Sequence, residues 1–203
     1  MISIIGVDPG GTTGVALLQM RPGADGTPRY CCPKAFQVRS VGNGARDIVE
    51  TLEDRFGELL AAHRRRERGS GSHLVFAVEA YVVNARAGRA STPQAGHAAR
   101  KVIGQLHGFA LTHDAIVLER SASLVKLWAT DARLRRAGGA LSSATGAVPA
   151  SSLYDATAKL PHARDAARHA LYAARHDVHW PDPLSRSYWE SLDALTSADT
   201  PGE

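Results

Sequence analysis

At 203 residues, with 44% hydrophobic and 22% charged residues, the chain has the composition of one globular domain with room for only a small second unit. A net charge of +4 and a pI of about 9.3 are compatible with an anionic partner such as nucleic acid but identify none. No stretch approaches the roughly 20 apolar residues of a membrane span, the run Met1 to Val7 lacks a basic leader and a cleavage site, and the adjacent Cys31 and Cys32 are badly placed for a mutual disulfide, so a reduced, cytoplasmic setting is expected.

In chain order, Ile2 to Val7 is an apolar strand, and Gly14 to Met20 a second, carrying Val15, Ala16, Leu17 and Leu18. The segment from Arg21 to Pro28 holds two Pro and two Gly and suits a hairpin loop. Tyr30 to Val38 is a third strand, interrupted by Pro33. Ile48, Leu52, Phe56, Leu59 and Leu60 share one face of a helix from about Arg46 to Arg66, whose Arg64, Arg65 and Arg66 complement its C-terminal dipole. Leu74 to Val78 is a buried strand delivering Glu79 at its end. Thr92-Pro93 then opens a second amphipathic helix marked by Ala95, Ala98, Val102, Ile103, Leu106 and Ala110. Gly96, Gly104 and Gly108 lower its intrinsic stability and imply close approach to a neighbour. Ala115 to Leu118 is a fifth strand, Ser121 to Arg136 a helix, Gly138 to Ser152 a small-residue loop and His162 to His176 the last helix. The order predicts an α/β fold: a five-stranded mixed sheet, its first three strands an antiparallel meander, with helices on its faces. Residues 1–176 form the domain, and 177–203 a loosely docked extension.

Asp8 ends the first strand before Pro9-Gly10-Gly11, where it is either a turn cap or a carboxylate held open to solvent by the sheet. The glycines from Gly10 to Gly14 also suit an anion cradle of backbone N–H groups. Glu79 ends a buried strand, an expensive place for a carboxylate unless it pairs, with Arg86 or Arg89 for example, or binds a cation. If the two strands are neighbours, Asp8 and Glu79 emerge at one edge. The last helix carries a face of small residues, Ala163, Ala166, Ala167, Ala170, Ala173 and Ala174 with Leu171, which lets it lie close on a sheet. A second stripe holds His162, Asp165, His169, Tyr172 and His176, either a solvated face with Asp165 paired to His169 or Arg168, or one whose first carboxylate and imidazole, at the helix start, are aimed at a strand-end metal site. Asp8, Glu79 and Asp165 together would offer hard oxygen donors to Mg²⁺ or Mn²⁺, two such ions being suited to phosphodiester hydrolysis.

These segments resemble the RuvC-type Holliday-junction resolvases, in particular their short actinobacterial and phage relatives. The opening Gly6-Val7-Asp8-Pro9-Gly10-x-x-x-Gly14 is similar to that family's first-strand motif, and Val78-Glu79 with Asn84 and Ile103-Gly104-Gln105-x-x-Gly108 to its second catalytic strand and following helix. Leu124-Val125-Lys126 and His162-x-x-Asp165-Ala166-Ala167 resemble its junction-binding segment and closing helix, so the matches run in family order from about residue 2 to 176. The resemblance implies an RNase H-like fold, a homodimer, and paired nicks at a four-way DNA junction leaving 5′-phosphate ends, in recombination and repair. It implies Asp8, Glu79 and Asp165 as catalytic, metal-binding carboxylates for two Mg²⁺ ions, with Mn²⁺ able to substitute. His162 stands where the commonest pattern has an Asp, as some members do, and is either a ligand or a positioner of water or phosphate. Neutral imidazole is a poorer partner for Mg²⁺ than carboxylate, which points toward Mn²⁺.

For DNA, Tyr81 is the nearest candidate for an aromatic wedge, with Val82 as the alternative and core packing an equal reading of Tyr81. Asn84, Arg86 and Arg89 follow it, and Lys101, Lys126, Arg133, Arg135 and Arg136 are candidates for phosphate contacts. Pairing of two copies through the glycine-containing helix would match a two-fold junction. The alternatives are an RNase H-like nuclease acting on other branched DNA or on RNA, a non-catalytic DNA-binding relative, and an actin-like or sugar-kinase-like ATP-binding protein. The last needs a second lobe and a second phosphate loop, and no such loop follows Gly14.

Overall fold

A computed structural model describes residues 1–22, 28–39, 45–65, 73–81, 93–136 and 153–185. Its elements are β1 (Ile2–Asp8), β2 (Thr12–Pro22), β3 (Pro28–Arg39), α1 (Ala45–Arg65), β4 (His73–Glu79), α2 (Pro93–Thr112), β5 (Ile116–Arg120), α3 (Ala122–Trp128), α4 (Asp131–Arg136), α5 (Leu153–Ala156) and α6 (Pro161–His176). The five strands form one sheet in the order β3-β2-β1-β4-β5. β1, β2 and β3 pair antiparallel, while β4 runs parallel to β1 and β5 parallel to β4. This is the mixed sheet and opening meander expected from the sequence, and the fold is RNase H-like. Among the described residues no helix is long and apolar enough to cross a membrane.

β1 is central and buried along its whole length, which is why it reads as a continuous apolar run and not an alternating one. Its side chains still divide by the period of two. Ile5 and Val7, with Val15, Leu17, Phe76 and Val78, pack under α1 and α2 through Ile48, Leu52, Phe56, Val102, Leu106 and Phe109. Ile2 and Ile4, with Ala16, Leu18, Met20, Val75 and Ala77, pack under α6 through Ala166, Ala167, Ala170, Leu171, Ala173 and Ala174. Each fully buried large aliphatic or aromatic side chain contributes roughly 1.5–3 kcal/mol.

The same alternation places Gly6 and Asp8 on the α6 face of β1, Gly14 on that face of β2, and Glu79 on that face of β4. A Cβ at Gly6 would approach the Ala166 carbonyl, and one at Gly14 the His162 carbonyl, to under 3.0 Å. The two glycines are therefore notches into which the backbone of α6 sinks, and its alanine face lets it do so.

Four expectations are revised. β3 is continuous: the pairing shifts between Leu17 opposite Lys34 and Gln19 opposite Cys31, so Pro33 sits in a bulge on an edge strand, where a missing N–H does no harm. The helix expected over Ser121 to Arg136 is broken into α3 and α4 at Ala129-Thr130. The Thr130 hydroxyl accepts from the Arg133 N–H at 3.3 Å and starts the second piece, while the Ala129 carbonyl is taken by Arg168 Nε at 3.0 Å. Of the α2 glycines, Gly96 meets the Tyr81 ring closely, but Gly104 and Gly108 are exposed with nothing within 4 Å among the described residues. The segment just past α6 is docked: Tyr30 donates to the Pro181 carbonyl at 2.5 Å, Arg133 pairs with Asp182 at 2.6 Å, Arg120 pairs with Asp177, and Leu184 is buried. Residues 138–152 and 186–203 lie outside the described residues.

Candidate active site

Because β1 and β4 are parallel neighbours in the register Val7 opposite Val78, the next residue of each strand, Asp8 and Glu79, leaves the sheet at one edge on the face that carries α6. The β1–β2 turn behind Asp8 is closed on itself by Thr13, whose hydroxyl donates to the Gly10 carbonyl at 3.2 Å and accepts from the Gly10 N–H at 3.4 Å. Gly14, directly opposite Asp8 in the β1–β2 ladder, admits the first turn of α6. No side chain caps that helix at Leu160; the Gln37 side chain on β3 accepts the His162 backbone N–H instead, at 2.8 Å. The His162 ring is thereby brought over β1, with Nδ1 2.7 Å from Asp8 Oδ2.

Asp8 is 8% exposed. Burial, reinforced by the charge of Glu79 and to a smaller degree that of Asp165, raises its pKa from the ordinary 3.8 to about 6, against the hydrogen bond and charge of His162. Glu79 Oε2 is buried without a hydrogen-bond partner. Across from it, His169 Nε2 is also buried and unpartnered, 3.4 Å away.

One turn after His162, Asp165 is clasped by two bases. Lys126 of α3 reaches Oδ2 at 2.8 Å, and Arg168 pairs with Oδ1. Arg168 is buried and also holds Asp131 and the Ala129 carbonyl, so one guanidinium ties α6 to the α3–α4 elbow. Burial works to lower the pKa of Lys126, but its hydrogen bond to Asp165 and the charges of Asp165, Glu79 and Asp8 prevail and raise it. Of the two partners that the sequence left open for Asp165, the structure has Arg168.

The structure thus gathers Asp8, Glu79, His162 and Asp165 at one edge and adds Lys126, expected only as a phosphate contact. Tyr81 is half-buried, with its ring against Gly96 and the Arg100 guanidinium over it at 5.4 Å. Asn84, Arg86 and Arg89, together with Val82, lie outside the described residues. Lys101, Arg135 and Arg136 are exposed, Arg135 lying 3.9 Å from the Tyr154 ring centre, as Arg164 also does. Arg133 is committed to Asp182, to the Trp128 carbonyl at 2.9 Å and to the Trp128 ring.

Gln37, Arg168 and His169 escaped the sequence reading as site residues. Arg168 and His169 follow Asp165 by one turn, a spacing that marks them as neighbours but not which carboxylate each meets. No single segment near Gln37 signals a distant helix N-terminus.

Among the described residues no group of three or more His, Cys, Asp or Glu is arranged to hold a metal ion. Asp8 and Glu79 nevertheless fit one. Buried Asp8 and half-buried Glu79 set two like charges side by side, and one Glu79 oxygen is buried without a partner. Mg²⁺ is commonly held by one or two carboxylates, with waters and substrate phosphates completing its shell.

Solved structures that align with the chain include two of RuvC. One is T. thermophilus RuvC in complex with Holliday junction substrate, at 16% identity over 94% of this chain and 96% of that chain, with a TM-score of 0.48. The other is a Thermus thermophilus RuvC structure, at 17% identity over the same shares, with a TM-score of 0.49. No family model matches the chain, and no curated protein does. Strand order and connectivity define the fold.

Proposed function

We propose that this chain is a cytoplasmic, Mg²⁺-dependent endodeoxyribonuclease that resolves four-way DNA junctions as a homodimer, by paired phosphodiester hydrolysis leaving 5′-phosphate ends. The observation that carries the reading is the pair of carboxylates at adjacent strand ends, buried Asp8 raised to about 6 and half-buried Glu79 with an orphaned oxygen, under a helix that brings His162 and Asp165 to the same edge.

Asp8 and Glu79 would hold the metal, with Asp165 and His162 beside them and Mn²⁺ able to substitute. When bound, the metal supplies a lowered water pKa and charge stabilisation at the leaving oxygen. The chain's own residues do the rest. Ionised Asp8 accepts from His162 Nδ1–H, which fixes the ring tautomer and leaves Nε2, on a side chain 45% exposed, as an acceptor for a proton from water. Lys126 sets a positive charge beside Asp165 at the mouth of the site, where a phosphate would add negative charge. Lys101, Arg135 and Arg136 are exposed cations for backbone phosphates, and Tyr81, Asn84, Arg86 and Arg89 would add further contacts to DNA.

The reading is tested by offering a four-way junction beside linear duplex, flap and RNA–DNA hybrid in Mg²⁺. Preferential cutting of the junction is expected. Cutting of the hybrid alone would assign the site to RNA hydrolysis instead.

A further inference from the structure

We infer that His169 positions Glu79: its imidazole Nε2–H donates to Glu79 Oε2 and holds that carboxylate in the orientation the metal requires. The inference rests on the metal-site reading above and adds a residue to it.

His169 is 2% exposed, in the middle of α6, between the buried Arg168 and Ala170. A buried imidazole that packed only as a core filler would direct its nitrogen at a carbonyl or hydroxyl, because an unpaired buried polar atom costs about 1–3 kcal/mol. His169 Nε2 has no such partner, and neither does Glu79 Oε2. The two orphans face each other at 3.4 Å. A hydrogen bond needs roughly 2.7–3.2 Å and a near-linear N–H, so a small rotation of the two side chains with an approach of a few tenths of an ångström satisfies both atoms at once.

Glu79 has more freedom to lose than Asp8. It carries one more rotatable bond, and its side chain is 25% exposed against 11% for Asp8. Asp8 is held by His162 from the first turn of α6. His169 repeats that arrangement two turns on, so one helix places an imidazole on each strand-end carboxylate. Carboxylates that bind metals are commonly oriented by such outer hydrogen bonds, whose loss lowers metal affinity by about 10- to 100-fold.

The test compares His169→Leu, which fills the space but cannot donate, with His169→Gln, whose amide can replace the Nε2–H. Equilibrium Mn²⁺ binding is read by electron paramagnetic resonance, with Glu79→Gln as the reference and urea midpoints measured alongside. The expected result is Mn²⁺ binding weakened about 10- to 100-fold in His169→Leu and within about threefold of wild type in His169→Gln, both with wild-type urea midpoints. In wild-type protein an ¹⁵N-coupled imidazole Nε2–H signal should be seen and should shift or vanish in Glu79→Gln, a readout independent of whether His169→Leu folds. Wild-type Mn²⁺ affinity in His169→Leu, or equal losses in the Leu and Gln variants, would overturn the positioning role provided Glu79→Gln weakens binding. Undiminished binding in Glu79→Gln would overturn the metal-site reading itself.

Discussion

Replacing Asp8 by Asn should make the metal-free protein more stable while abolishing its chemistry. The carboxyl titrates near its ordinary 3.8 when unfolded and near 6 when folded. Between those values the folded state holds a proton that the unfolded chain has released, so the free energy of unfolding falls as pH rises from about 4 to 6 and is flat beyond. A displacement of about two pK units corresponds to roughly 3 kcal/mol at pH 7, an upper figure because the structure can relax around the charge. Asn keeps an acceptor for His162 and carries no charge. Urea unfolding in EDTA should therefore show Asp8→Asn more stable than wild type by about 1–3 kcal/mol at pH 7, with the gain gone at pH 4. Mg²⁺ should then stabilise wild type and leave the variant unchanged. A variant no more stable than wild type at pH 7, with the same difference at pH 4, would refute the reasoning that burial and Glu79 load the site with uncompensated charge.

Gly14→Ala sets a Cβ against the His162 carbonyl, so the first turn of α6 must retreat by about 1 Å. Stability should fall by about 1–3 kcal/mol and cleavage by about 100-fold, as measured by urea titration and single-turnover assay; wild-type behaviour would show that the notch is dispensable. Gly57→Ala in α1, where nothing among the described residues lies within 4 Å of the added carbon, is the control and should stabilise by about 0.5–1 kcal/mol. Arg168→Leu strips the buried guanidinium from Asp165 and the Ala129 carbonyl and should destabilise by about 3 kcal/mol, the low end for a broken buried pair because Asp165 keeps Lys126 and Asp131 is half-exposed. A loss below about 1 kcal/mol in the same titration would remove the clasp from the account of the fold.

Much of this architecture was legible in the chain because strand periodicity survives burial. Once Ile4 and Gly6, and Val75 and Ala77, are placed on one face, Asp8 and Glu79 follow onto it. The alanine face of α6 likewise announced close packing. What could not be read locally depends on partners distant in sequence. Lys126 looks like a phosphate contact until the packing of α3 against α6 sets it on Asp165, and the carbonyl at the α3–α4 break is taken by Arg168 from 39 residues away. His169 falls on the same stripe as His162, but only the path of α6 over the sheet decides that one meets Asp8 and the other Glu79. Pro33 argued against a continuous strand because the bulge that accommodates it is a feature of pairing and not of β3 alone.

The most direct measurement is cleavage of a 5′-labelled four-way junction in Mg²⁺ by wild type and Asp8→Asn side by side, with the product ends mapped. Wild type is expected to make paired nicks bearing 5′-phosphates and Asp8→Asn none. Equal cutting by the two proteins, or an intact junction with both, would contradict the assignment of Asp8 as the first carboxylate of a nuclease site.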